Sequence, residues 1–117
     1  KTYAITSKGR AVFLAWMHSA DIPESKLDTI ALTKLYFLGL LPGREDRKIV
    51  LGTITNRVAE SYHALSAMND ALNAQVHVEE VDAPTYYQLR SLDYGVTMMR
   101  HSLAWYEKEL ARLQSAS

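Results

Sequence analysis

Residues 89–113, LRSLDYGVTMMRHSLAWYEKELARL, decide how the rest of the chain is read. Leu89, Leu92, Val96, Met99, Leu103, Tyr106, Leu110 and Leu113 recur at steps of 3-4-3-4-3-4-3 with no polar interruption. A helix of 3.6 residues per turn gathers such positions on one narrow stripe, and a sustained alternation of three and four is the seam of a coiled coil. An apolar stripe of that length must be covered by another helix.

The candidate partner lies upstream. From Arg44 to about Val81 there is no proline and only one glycine, Gly52, which predicts a helix of about 38 residues. Leu51, Val58, Leu65 and Leu72 stand seven apart. Thr55, Tyr62, Asn69 and Val76 interleave with them, giving a heptad-like but partly polar seam in which Asn69 can fix register at some cost in stability. Glu79 to Pro84 reads as a turn and a helix start, because proline tolerates the first helical turn and acidic groups complement the dipole there. Two long helices joined by a short turn pack antiparallel.

Two shorter helices precede the pair. Phe13, Trp16, Met17 and Ala20 share one face of a helix expected over Ser7 to Ala20, capped by the Ser7 hydroxyl and ended by Asp21-Ile22-Pro23. The second, Glu24 to Leu41, carries Leu27, Ile30, Ala31, Leu35 and Leu38 on one face and stops at Pro42-Gly43. Ahead of both, Lys1-Thr2-Tyr3-Ala4-Ile5 alternates as a strand for which nothing downstream offers a partner. The expected fold is all-α: a long antiparallel helical hairpin, coiled-coil-like, with two shorter helices over residues 7–117, preceded by a strand remnant at 1–6.

Composition narrows the function. Of 117 residues, 48% are hydrophobic, enough for a packed domain core. Thirteen Lys and Arg balance thirteen Asp and Glu, so the segment carries no basic footprint for nucleic acid or an anionic membrane. There is no Cys, which excludes disulfides, thiolate nucleophiles and Cys-ligated metals. The apolar runs at Ala11–Met17 and around Leu35–Leu41 fall short of the roughly 20 residues a membrane span needs.

A single hairpin leaves each long helix with an uncovered flank, so a homodimer is expected, with Leu89, Leu92, Val96, Met99, Leu103, Tyr106, Leu110 and Leu113 as its interface. Tyr94, His101 and Trp105 lie on faces next to that seam, and left in water they would form an apolar patch of the kind that marks an interface. Trp16, Tyr36, Phe37 and Trp105 are candidates for an aromatic ligand pocket, with Tyr62 and Tyr106 as further members, although helical spacing already accounts for each as core. No pair among His18, His63, His77 and His101 has the i, i+4 spacing of a helical metal site, and only His77 neighbours clustered carboxylates, Glu79 and Glu80. There is no nucleophile elbow, phosphate-cradling glycine loop or paired-carboxylate motif, so neither catalysis nor a cofactor is expected. The mixed charges Arg44-Glu45-Asp46-Arg47-Lys48 read as a solvated helix start.

Three stretches carry a family resemblance. KTYAITSKGRAVFLAW at residues 1–16, LTKLYFLGLLPG at 32–43 and YYQLRSLDYGVTMMRHSLAWYEKEL at 86–110 resemble, in that order, the C-terminal half of PadR-family transcriptional regulators, and most closely the long-tailed group that contains the virulence activators. Between them, Asn56 to Gln75 matches only as a long amphipathic helix. The resemblance implies that Tyr3 to Thr6 end the wing of a winged helix-turn-helix domain absent from these residues. It further implies a bacterial, cytoplasmic regulator that holds operator DNA through that domain and answers a small-molecule or protein effector, with no DNA-binding residue in this chain. The competing expectation is a helical-hairpin oligomerisation module of a scaffold or signalling protein, which has no use for a wing strand. A stand-alone carrier of a small apolar ligand is the third.

Overall fold

The chain was obtained as a computed structural model, which describes residues 5–77 and 80–115. Four α-helices follow in order: α1 (Ser7–His18), α2 (Leu27–Tyr36), α3 (Arg44–Gln75) and α4 (Ala83–Ser115), with short 3-10 turns at Glu24–Lys26 and Leu38–Leu40. No strand occurs among the described residues. The strand expected at the amino terminus falls mainly on residues 1–4, which lie outside them, and Ile5 and Thr6 belong to none.

Helix α1 is capped one residue earlier than the sequence suggested. The Thr6 hydroxyl, not that of Ser7, accepts the Gly9 amide at 2.9 Å, while Ser19 ends the helix in an extended conformation. The expected continuous helix from Glu24 to Leu41 is broken at both ends into 3-10 turns. Near Gly39 the tightened backbone buries Leu41, and Phe37 sets its ring edge-on to Phe13 of α1 at 6.3 Å. Packing against α1 decides this, which periodicity within one helix does not register.

Helices α3 and α4 form the expected antiparallel hairpin. Arg44 at the start of α3 donates to the Leu113 carbonyl near the end of α4 at 3.0 Å, and farther along Arg100 donates to the Tyr62 hydroxyl at 3.3 Å. The 32 residues of α3 span about 48 Å at 1.5 Å rise per residue, which accounts for most of the 60 Å long axis of the molecule. Helix α3 stops at Gln75, short of the predicted Val81, and Val76 is extended. Its last turn, Ala71–Gln75, is exposed and has no surface to pack on. There the Asn73 amide donates to the Asn69 carbonyl at 2.7 Å and to the Asn69 side chain at 2.9 Å, so Asn69 is engaged locally rather than across the seam. The α4 start agrees with expectation: the Asp82 carboxylate accepts the Thr85 amide at 3.1 Å as a cap, with Pro84 in the first turn.

The core lies at one end of the hairpin. Met17 of α1, Ala31 of α2, Val50, Leu51, Ile54 and Val58 of α3, and Leu103 and Tyr106 of α4 form one buried cluster with Leu41. Lys34 of α2 is also buried, 2% exposed, its ammonium donating to the Ser19 carbonyl at 2.7 Å and lying 5.1 Å over the Trp16 ring. That contact fastens α2 to the end of α1. Burial holds the Lys34 ammonium below its ordinary value of 10.5. Beyond Val58 the burial fades, and Leu72 of the same heptad row is exposed.

Candidate functional site

Helix α4 presents two stripes, and they have different fates. On the inner stripe Leu89, Val96, Leu103 and Tyr106 are buried within the chain, while Leu92, Met99, Leu110 and Leu113 are half-buried. Met99, Leu103, Tyr106, Leu110 and Leu113 pack on the same cluster as Val50, Leu51, Ile54 and Val58 of α3. The residues expected to meet a second copy therefore face the chain's own α3 first.

A second stripe runs beside it. Tyr87, Ser91, Tyr94, Met98, His101 and Trp105 recur at steps of 4-3-4-3-4 and all are exposed, with Tyr87 and Tyr94 each 68% open to solvent, Met98 45% and Trp105 43%. This is again heptad spacing, along about 27 Å of helix. Tyr94, His101 and Trp105 were legible in the sequence as a patch beside the main seam, whereas Tyr87, Ser91 and Met98, which complete the row, were masked by the overlapping uninterrupted seam.

Between this outer stripe, α3 and the start of α2 lies an open crevice of about 720 Å³, walled by Leu65, Met68, Tyr94 and Met98 and edged by Glu24 and Asp28. A smaller crevice of about 280 Å³, walled by Leu32, Leu35 and Trp105, shares Asp28 and Ser102 with it. Gly95 lets α4 come close here, since a Cβ at that position would stand 3.3 Å from Leu65 Cδ2. Glu24 is occupied by the Arg57 guanidinium at 3.3 Å and by the Ser61 hydroxyl. Asp28 is exposed and, among the described residues, makes no hydrogen bond and no ion pair. The Tyr106 hydroxyl is buried and equally unpartnered. Burial first, and the Asp28 carboxylate second, raise that phenol above its ordinary value of 10.0, so it stays protonated.

The four aromatic pocket candidates do not converge. Trp105 lines the smaller crevice, whereas Trp16 lies under Lys34, Tyr36 is 82% exposed and Phe37 packs on Phe13. Trp16, Tyr36 and Phe37 line neither crevice. Of the histidines, His18 pairs with Asp46 of α3 at 3.3 Å, His101 lines the smaller crevice, and His63 and His77 are exposed. Glu79 lies outside the described residues, and among those described no three His, Asp or Glu side chains gather as a metal site. Among the described residues no helix is long and apolar enough to cross a membrane.

Compared with protein-family models, with curated proteins and with solved structures, the chain has no significant match.

Proposed function

We propose that this chain is a helical dimerisation and effector-sensing region, and that it belongs to a PadR-like transcriptional regulator whose DNA recognition resides in a winged-helix domain outside these residues. The outer stripe of α4 carries the dimerisation half of the proposal. A row of Tyr87, Tyr94, Met98 and Trp105 left in water, interrupted by Ser91 and His101, is an apolar surface of the kind that marks an interface, and its heptad spacing suits another helix. The row is also nearly self-complementary. Reversed, it still has an aromatic residue at each end, so a two-fold axis beside Val96 sets Tyr87 against the partner's Trp105 and Tyr94 against the partner's Met98. The inner seam then holds the protomer together, with half-buried Leu92 and Met99 at the edge of the contact.

The regulator half of the proposal is supported by the three ordered stretches of resemblance and by the zero net charge, which leaves DNA contact to another domain. Doubling a small reader of DNA lets two recognition helices meet two half-sites, with the dimer setting their separation. Helix α1 would pass a change in packing to the attached reader, because Lys34 fastens it to α2 and the His18–Asp46 pair fastens it to α3.

Sedimentation velocity tests the dimer. The chain is expected to sediment as a dimer at micromolar concentration, and Tyr94→Glu with Met98→Glu to give a monomer of unchanged helicity. A monomeric parent chain, or an unaffected double variant, would refute the interface.

A further inference from the structure

The outer row of α4, taken alone, is too small to hold a dimer. A helix face about 27 Å long and about 10 Å wide falls well short of the roughly 800 Å² that each partner gives to a stable interface, so the contact must extend to a neighbouring element. The smaller crevice opens beside the row, walled by Leu32 and Leu35 of α2 and by Trp105 and Tyr106 of α4. Leu32 is 51% exposed and Trp105 43%, so the protomer leaves this apolar hole unfilled. At the other end of the row Tyr87 is 68% exposed, its ring meeting that of its neighbour Tyr86 edge-on at 5.0 Å. The projecting ring and the hole lie about 27 Å apart along one continuous helix, so a protomer cannot fill its own hole.

We propose that the smaller crevice is the socket for Tyr87 of the partner subunit, which makes α2 as well as α4 part of the dimer interface. The proposal rests on the dimer reading above and adds to it the contact with α2. The two-fold axis beside Val96 that sets Tyr87 against the partner's Trp105 also sets it at the mouth of this crevice, because Trp105 forms one of the walls. The volume of about 280 Å³ accommodates a phenol ring. A tyrosine suits the place: its ring lies among Leu32, Leu35 and Trp105, while its hydroxyl reaches the rim, where the exposed Asp28 carboxylate and the Ser102 hydroxyl can accept a hydrogen bond. By symmetry the contact occurs at both ends of the row. An aromatic anchor seated in a pocket is the arrangement in which binding energy concentrates.

The chain has no cysteine, so introduced thiols report the contact without competition. Under conditions where sedimentation shows a dimer, Tyr87→Cys with Leu32→Cys in one chain is expected to be joined by a short bismaleimide into a covalent dimer. Neither single variant should be joined, because the two-fold axis places like residues about 27 Å apart. Sedimentation velocity is the second readout. Leu32→Glu, an exposed change on α2, and Tyr87→Ala are each expected to raise the dimer dissociation constant at least about tenfold with helicity unchanged. Together they should raise it no further than the stronger of the two, since both remove the same contact. A dimeric double-cysteine chain that does not cross-link, an unaltered dissociation constant in Leu32→Glu, or additive effects of the two changes would each overturn the socket and leave the α4 row standing. A parent chain that sediments as a monomer would remove the dimer reading and the socket with it.

Discussion

At the scale of single residues, Lys34 is the least expected feature of the fold. Its side chain lies among α1 and α2 with no carboxylate within ion-pair distance among the described residues, and its compensation is the Ser19 carbonyl and the Trp16 ring. Lifting the desolvation of an ammonium offsets the loss of those contacts, so Lys34→Met should stay within about 1 kcal/mol of the parent near neutral pH, as measured by urea unfolding. Lys34→Ala also leaves a cavity and should cost about 2–4 kcal/mol. Because the folded-state value lies below 10.5, the unfolded chain binds more protons between the two values, and stability from this group rises with pH through that window. The difference between parent and Lys34→Met should show that rise. Tyr106, raised above 10.0, acts in the opposite direction at higher pH and cancels in the comparison. None of this was legible in the sequence, where Lys34 looks like a solvent-facing residue, since its burial depends on a helix fifteen positions away.

At the scale of elements, local chemistry and packing divide the credit. The start of α4 was legible because its signals, Asp82, Ala83 and Pro84, are adjacent in the chain. The Thr85 contacts hold the Asp82 carboxyl below its ordinary value of 3.8, so its contribution is present above that pH and is lost as the pH falls through the lowered value. Asp82→Ala should therefore lower the unfolding midpoint near neutral pH, and the difference should vanish in acid well below 3.8. The end of α3 was misjudged, because continued amphipathic spacing does not supply a surface to pack against. On α4, Leu103→Asp should destabilise the chain by about 3–5 kcal/mol in chemical denaturation, since it leaves an unpaired charge in the cluster around Ile54. Tyr94→Asp, one face away, should leave protomer stability within about 0.5 kcal/mol, because an exposed substitution disturbs no core contact.

At the scale of the molecule, the burial gradient along the hairpin is the organising fact. One end is a four-helix cluster, while toward the other α3 and α4 pack mainly on each other, and the exposed Tyr87, Tyr94, Met68 and Met98 lie outside the core, where the proposed partner would meet them without dismantling it. The 117-residue chain is expected to bind duplex DNA no better than a neutral control protein at moderate salt, by electrophoretic mobility shift. Tight, sequence-selective binding would contradict the proposed division of labour. If the proposed winged-helix domain is present in a longer protein, that protein is expected to bind a paired half-site and to lose that affinity with the Tyr94→Glu and Met98→Glu changes that are expected to dissociate the chain.

The helical class, the hairpin and the inner seam of α4 were determined by the sequence alone, because a helix expresses its buried face as a period and its ends as caps within a few residues. Tertiary structure decided which partner each face meets. Helix α3 claims the uninterrupted apolar seam, since it is tethered to α4 by a short loop and so is always at hand. That leaves the more broken stripe through Tyr94 and Trp105 exposed, and it brings the start of α2, remote in sequence, to the edge of the crevices beside α4. Periodicity records that a face is to be covered; only packing in three dimensions records by what.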